Sequence, residues 1–356
     1  MGVFDNMLHD DQTLFKNVNA LDFDFIPKII PYREEQQRRI ATAIQPLFSD
    51  RNGKNSIIYG LPGVGKTVAC RHVLKELEEK SDDIVPVYIN CWKKNTSYKI
   101  IIEICELIGY KFTHNKKTDE LFKEVVRLLN KKKIVFVFDE IDKAEDHDFL
   151  YMMIEEIYRK CIILITNFKS FLEDMDERVR SRLVPEFIEF KPYDKKETRG
   201  ILKQRIEYAF YPNVWETGAF EKVTEKSFSL KDVRAGIQLL KDCGDIAESK
   251  SSKNIKKAHA EEAAKKMDGI EIIKSTDLKN DERDLLNIIK NNPKNKIGNL
   301  FNAYSEGRSK TSYKTFQRKI KSLDEKGFVK LTKNKGGGGN TTIVEYKERT
   351  KKLNEF

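Results

Sequence analysis

A glycine-rich segment near residue 60 constrains this chain more than any other feature. It reads Gly60-Leu61-Pro62-Gly63-Val64-Gly65-Lys66-Thr67, which fits the phosphate-binding pattern of Gly, any four residues, Gly, Lys and then Ser or Thr. An apolar run at residues 56–59 precedes it, and a helical pattern at residues 68–78 follows it. In such a strand, loop and helix, backbone N–H groups close around phosphates at the helix N-terminus. The segment therefore predicts an α/β nucleotide-binding fold.

The polar residues of the loop and of a later strand predict a hydrolytic site. Lys66 is expected to reach the terminal phosphates, and the Thr67 hydroxyl to bind Mg²⁺. The apolar run 134–138 ends in Asp139 and Glu140, and ligands bind at the carboxyl ends of strands in open α/β sheets. We expect Asp139 to hold the Mg²⁺ shell and Glu140 to polarise the water that attacks the γ-phosphate. The predicted cofactors are ATP or ADP with Mg²⁺.

Three further polar side chains are candidates for the same site. Asn167 follows the apolar run 161–166 and is placed to orient the attacking water, although an Asn after a strand more often forms a turn. Arg182 lies in an arginine-rich segment, and Arg234 begins a helical pattern from which it can reach back to the γ-phosphate. Lone arginines are usually solvated surface residues, so the residues alone leave both roles open.

Composition argues against several classes of protein. Apolar runs such as residues 134–138 are far shorter than the roughly 18 residues of a membrane-spanning helix, and no membrane partner is predicted. Residues 1–12 are acidic and lack the basic start and apolar block of a secretory signal. The five cysteines are widely spread without a Cys-x-x-Cys pair, which argues against a disulfide framework or a zinc module. Reduced, buried thiols in a cytoplasmic protein are expected instead.

Periodicity divides the chain into three regions. Apolar strands alternate with helices up to residue 192, which predicts a parallel sheet between helices. From residue 193 the strands stop, and Asp194 with Glu197 predicts a capping box for a helix that directs Ile201, Ile206 and Phe210 to a core. Further helical patterns cover residues 220–224 and 233–247. The predicted domains are an α/β nucleotide-binding domain at 1–192, a helical lid at 193–268 and a third domain at 272–356.

The third region holds the whole excess of positive charge. Residues 272–356 contain 20 basic and 10 acidic residues, which leaves 46 of each in the rest of the chain. Three helices and a hairpin with glycines 336–339 at its tip predict a winged helix, whose third helix would end at Gly327. Phe316, Ile320 and Leu323 share one face of that helix. The basic residues expected to bind DNA phosphates and base edges are Lys314, Arg318, Lys321, Lys333 and Lys335.

The order of these motifs resembles the AAA+ ATPases, and more narrowly the archaeal replication initiators related to the origin recognition complex and to the cell division control protein that loads the helicase. The resemblance covers almost the whole chain. It rests on Ile30-Pro31-Tyr32-Arg33-Glu34-Glu35-Gln36, Tyr88-Ile89-Asn90-Cys91, Asn95-Thr96, Tyr98, Asp139-Glu140-Ile141-Asp142, Val179-Arg180-Ser181-Arg182-Leu183, Phe190-Lys191-Pro192-Tyr193, Arg205, Ala209-Phe210, Asp232-Val233-Arg234 and Gly244-Asp245-Ile246-Ala247-Glu248.

The resemblance implies roles for single residues. Arg33 and its neighbours would contact adenine, and Asn167 would be the first sensor of the γ-phosphate. Arg182 would be the arginine finger given to a neighbouring subunit, and Arg234 the second sensor. Residues 97–130 would hold the initiator-specific insertion that touches DNA. The remaining nucleotide-binding residues implied are Val68, Tyr193 and Arg205.

The resemblance also implies a function. The chain would be an ATP-dependent initiator that binds double-stranded origin DNA and helps recruit or load the replicative helicase, with ATP binding and slow hydrolysis as the switch. Further copies of the chain or paralogous initiators would be partners. A processive AAA+ motor or clamp loader, a regulator that binds ATP without hydrolysis, a mobile-element ATPase, and a C-terminal module that contacts proteins remain alternatives.

Overall fold

The computed structural model describes residues 13–276, 280–292, 294–305, 312–325, 328–336 and 339–346. The chain divides into two compact units, Met1–Lys265 and Lys266–Phe356. The predictions for residues 1–12, Gly327 and residues 337–338 lie outside the described residues. In the described ranges no helix has the length and apolar character needed to cross a membrane. All five cysteines are free and buried, which confirms the prediction of unpaired thiols.

A five-stranded parallel sheet lies at the centre of the first unit. Its strands are β1 (Ser56–Tyr59), β2 (Ile84–Asn90), β3 (Lys133–Asp139), β4 (Lys160–Thr166) and β5 (Glu186–Glu189). They lie in the order β2-β3-β4-β1-β5, and every neighbouring pair is parallel. The strands predicted at residues 56–59, 85–89, 134–138 and 161–166 are confirmed within a residue at each end, whereas β5 was not predicted.

Helices cover both faces of this sheet. Because successive side chains of a strand point to opposite faces, β3 contributes Phe136 and Phe138 to one core and Val135 and Val137 to the other. Two-sided burial explains why β3 and β4 are nearly continuous apolar runs. The helices of this region are α1 (Glu34–Ile44), α2 (Lys66–Lys80), α3 (Ser97–Leu107), α4 (Thr118–Leu129), α5 (Asp148–Glu156) and α6 (Glu177–Leu183).

A group of helices follows the sheet. The capping box predicted at Asp194 is confirmed, because Glu197 N donates to Asp194 Oδ1 at 2.7 Å and Asp194 N donates to Glu197 Oε2 at 2.9 Å. The predicted core face was wrong for Ile201 and Ile206, which are only half-buried, while Phe210 is buried. The helices are α7 (Lys195–Ala209), α8 (Thr217–Leu230), α9 (Val233–Ser249) and α10 (Lys257–Thr276).

The apolar and charged residues of α7 that are buried are Leu202, Arg205 and Ala209. Arg205 is buried because its guanidinium donates to the carbonyl oxygens of Ala20 at 3.0 Å and Phe25 at 3.3 Å. A core assigned from apolar residues alone leaves out Arg205, so the apolar pattern of α7 does not predict this buried face.

The second unit is a winged helix. Its elements are α11 (Asn280–Asn291), β6 (Lys294–Lys296), α12 (Ile297–Ser305), α13 (Tyr313–Glu325), β7 (Val329–Gly336) and β8 (Gly339–Tyr346). The three helices pack with a three-stranded antiparallel sheet in the order β6-β8-β7. Phe316, Ile320 and Leu323 are buried as predicted. The hairpin strands are longer than predicted and reach Gly336 and Gly339, and β6 was not predicted.

Candidate nucleotide site

The phosphate-binding loop joins β1 to α2 in the first unit. Gly65 has a φ of 89°, a left-handed conformation that favours glycine. A Cβ at this position would lie 2.6 Å from the hydroxyl oxygen of Tyr193, so the loop also needs glycine for close packing. Helix α2 begins at Lys66, two residues before its predicted start, which places the end of the loop at a helix N-terminus that favours anions.

The ammonium of Lys66 is held over the loop. It donates to the carbonyl oxygens of Gly60 at 2.7 Å and Leu61 at 3.0 Å, and to Asn167 Oδ1 at 2.9 Å. Burial lowers the pKa of Lys66 to about 8, while the Asp139 carboxylate acts in the opposite direction. The structure therefore brings the predicted site residues Lys66 and Asn167 together at the loop, and the ammonium is poorly solvated.

Strand β3 brings two carboxylates to the same place. Asp139 Oδ2 accepts hydrogen bonds from the Thr67 hydroxyl at 2.6 Å and from the Tyr88 hydroxyl at 2.7 Å. A hydroxyl and a carboxylate side by side suit Mg²⁺, which takes oxygen ligands and keeps several waters. The pair Thr67 and Asp139 therefore fits this ion.

Glu140 follows in an unusual backbone conformation. Its φ is 53°, which is uncommon for a residue with a side chain, and such conformations cluster at active sites. Burial raises the pKa of its carboxyl group, and the neighbouring charges of Asp139 and Asp142 act in the same direction. A carboxylate in this position can accept a proton from a water molecule more readily than an exposed one.

One pocket joins these groups to the helical region of the same unit. The predicted residues that line it are Pro62, Gly63, Gly65, Lys66, Thr67, Val68, Asp139, Glu140, Asn167, Tyr193, Arg205 and Arg234. An apolar wall that was not predicted lines it from the segment before the loop, with Phe23, Phe25, Ile26 and Pro27. Such a wall suits the faces of a nucleotide base.

Arg33 supports the pocket from behind. Its guanidinium donates to the carbonyl oxygens of Val64 at 3.1 Å, Tyr32 at 3.1 Å and Lys191 at 2.6 Å. It also lies 3.7 Å from the centre of the Tyr193 ring. Arg33 is buried and is not among the pocket-lining residues, whereas its neighbours Ile30 and Pro31 are. The Arg33 guanidinium therefore contacts backbone carbonyl groups behind the pocket and does not face into it.

Two arginines with predicted catalytic roles lie in different places. Arg234, on α9, lines the pocket, as a sensor of the γ-phosphate requires. Arg182, on α6, does not line the pocket and forms an ion pair with Glu155, with its guanidinium 5.3 Å from the centre of the Tyr151 ring. Its side chain is 43% exposed, so a second copy of the chain has access to it.

The predicted DNA-binding residues lie on the winged helix. Lys314, Arg318 and Lys321 are exposed on α13, on a different face from its buried residues. Lys333 and Lys335 lie in β7, opposite Thr342 and Asn340 of β8. Helix α13 therefore presents the predicted basic face to solvent.

The chain matches known families over most of its length. Residues 50–170 match the AAA domain family, and residues 199–265 match the Cdc6 AAA+ ATPase-type lid domain. The ORC1-type DNA replication protein 2 of Methanothermobacter thermautotrophicus is 30% identical over 362 residues, which cover 96% of this chain and 93% of that protein. This chain belongs to the ORC1-type DNA replication protein family. The family predicted from the motifs is confirmed.

Solved structures show the same fold. The Aeropyrum pernix ORC1 protein in complex with DNA matches with a TM-score of 0.70 and 26% identity over 93% of each chain. The Aeropyrum pernix ORC2 protein in its ADPNP-ADP complexes matches with a TM-score of 0.70 and 18% identity over 94% of each chain. The predicted architecture, an AAA+ α/β domain with a helical lid and a C-terminal winged helix, is confirmed.

Proposed function

We propose that this ORC1-type protein is an ATP-dependent replication initiator that binds double-stranded origin DNA and helps recruit or load the replicative helicase. The observation that carries the proposal is the pocket itself, which the phosphate loop, the two carboxylates Asp139 and Glu140 at the end of β3, and Arg234 of the helical region line together. A bound nucleotide would contact both regions, so its phosphates would influence how they pack. Hydrolysis then acts as a slow switch.

Each residue of the site has a chemical task in this proposal. Lys66 and the loop N–H groups bind the phosphates, and Thr67 and Asp139 hold Mg²⁺, which neutralises phosphate charge when bound. Glu140 accepts a proton from the attacking water, and Asn167 orients that water. The second sensor Arg234 binds the γ-phosphate in the same chain, and Arg182 supplies an arginine finger to a neighbouring copy or a paralogous initiator. Tyr193 and Arg205 shape the adenine end of the pocket, and Arg33 supports the phosphate-binding loop from behind.

The winged helix binds DNA in this proposal, together with the insertion at residues 97–130. The proposed domains are a nucleotide-binding domain at 1–192, a lid at 193–268 and a DNA-binding domain at 272–356. The protein acts on the chromosome in the cytoplasm. The Aeropyrum pernix ORC1 protein, which shares this fold, is itself in complex with DNA. The exposed basic face of α13 supplies the charge for phosphate contacts.

The salt dependence of duplex binding tests this assignment. Lys314, Arg318 and Lys321 are replaced with Ala in the full chain, and a matched control replaces three exposed lysines of α2 and α7, Lys75, Lys196 and Lys203. Each lost phosphate contact lowers the slope of log affinity against log salt by about 0.9. The α13 variant should bind duplex DNA more weakly, and the magnitude of its salt slope should be smaller by about 2 to 3. Its ATP affinity should be unchanged. Equal loss in both triple variants would reject α13 as the DNA-binding element.

A further inference from the structure

The carboxylate of Asp232 holds the guanidinium of Arg234 at the edge of the nucleotide pocket. Asp232 Oδ1 accepts hydrogen bonds from Arg234 N at 2.9 Å and from Arg234 Nε at 3.2 Å, and Asp232 Oδ2 accepts from Arg234 Nη2 at 2.9 Å. The first bond caps α9, and the other two form a two-point ion pair. The Nε and Nη2 edge of Arg234 is therefore occupied by a group of its own chain.

The Asp232 carboxylate also packs against Gly63 of the phosphate-binding loop. Gly63 has a φ of 78°, and a Cβ added to it would collide with Asp232 Oδ1. Gly63 and Arg234 both line the nucleotide pocket. A negative charge thus lies against a loop whose chemistry is to bind phosphate, beside the arginine assigned to the γ-phosphate.

We propose that Asp232 is a positioning residue that competes with the γ-phosphate of ATP for Arg234 and so sets the preference of the site between ATP and ADP. A planar guanidinium grips an anion with two parallel N–H groups along one edge, so a γ-phosphate that binds the Nε and Nη2 edge of Arg234 must displace the Asp232 carboxylate from it. ADP has no γ-phosphate and leaves the ion pair in place. The inference rests on the proposed function, because it requires that nucleotide occupies this pocket.

Replacement of the Asp232 carboxylate by the γ-phosphate as the partner of Arg234 affects the helical region. Asp232 is the N-cap of α9 and Arg234 lies in its first turn. Release of the ion pair therefore changes the partners of the first turn of α9 whenever ATP replaces ADP. This gives the γ-phosphate a direct contact with the lid, through two residues that are already paired with each other.

A second pair with the same geometry supplies a matched control. Asp176 caps α6 and accepts from Arg178 N at 2.8 Å, from Arg178 Nε at 3.1 Å and from Arg178 Nη2 at 3.0 Å. Neither residue lines the pocket. Substitution of Asp176 therefore reports the general cost of losing such a pair, without any effect on phosphate binding.

The experiment measures the affinities for ADPNP and ADP, with Mg²⁺, of the full chain and of its D232N and D176N variants. Asn retains the shape and the helix cap of Asp but not its charge. An exposed ion pair contributes up to about 1 kcal/mol, so D232N should raise the ratio of ADPNP to ADP affinity about three- to fivefold. D176N should leave the ratio unchanged. A D232S variant, which also keeps a cap, should behave as D232N does.

A double variant separates competition from simple repulsion. In an Arg234→Ala background the D232N change should no longer raise the ratio, because the arginine that both anions share is gone. An unchanged or lower ratio in both D232N and D232S would overturn the inference, as would an equal rise with and without Arg234. Failure of the wild-type chain to bind either nucleotide would instead reject the proposed function.

Discussion

The buried ammonium of Lys66 makes nucleotide affinity depend on pH. Burial lowers the pKa of this side chain from 10.5 to about 8, which corresponds to about 3 kcal/mol in favour of the neutral amine. Phosphate oxygens favour the ammonium form. Below pH 8 the ammonium is already present, so affinity is nearly constant. Above pH 8 a proton must be taken up on binding, so affinity falls as pH rises.

The size of the effect follows from that pKa. The protonated fraction of Lys66 is about nine-tenths at pH 7 and about one-tenth at pH 9, so ADP affinity should fall about tenfold between these values. At pH 8 binding should take up about half a proton, which calorimetry measures by comparing buffers with different ionisation enthalpies. A Lys66→Arg variant keeps its charge throughout this range and is the control. Constant wild-type affinity from pH 7 to 9, without proton uptake, would refute the reasoning.

Three further variants test the site. Glu140→Gln should keep ATP affinity and lose ATP turnover, because only the water-polarising carboxylate is removed; loss of both properties would point to a binding role. Arg182→Ala should lose turnover only at protein concentrations where copies associate, and an equal loss in the isolated monomer would exclude a role in a neighbouring site. Tyr88→Phe removes a hydrogen bond to Asp139, and comparable second contacts change metal affinity about tenfold or more; an unchanged Mg²⁺ requirement for ATP turnover would show that this bond does not position the carboxylate.

The parts of the fold that the sequence predicts are those with local signals. The loop and the buried strands β1, β3 and β4 follow from short patterns of glycine and apolar residues. Strand β5 lacks such a signal, because three of its four residues are exposed and two are glutamates. Its position beside β1 comes from parallel pairing of Ser56 with Glu186 and of Tyr59 with Glu189, which is a contact between distant parts of the chain.

The contrast between local sequence signals and contacts across the chain also applies to the residues of the site. Lys66, Thr67, Asp139 and Glu140 were predicted because each belongs to a compact motif. Arg33 depends on carbonyl groups as far away as Lys191, and the contact of Asp232 with Gly63 joins residues far apart in sequence. The alternation of Phe23 and Phe25 before a proline is the signal that could have indicated an apolar wall, although it does not say what that wall faces.

The proposed function requires that this protein binds DNA at replication origins. The most direct test maps where the full-length protein sits on the chromosome of its own cells, by crosslinking and sequencing, beside a map of where DNA synthesis begins. We expect a small number of discrete sites that coincide with starts of replication, and weaker occupancy at those sites for a Lys66→Ala variant. Even occupancy along the chromosome, or discrete sites at which replication does not begin, would contradict it.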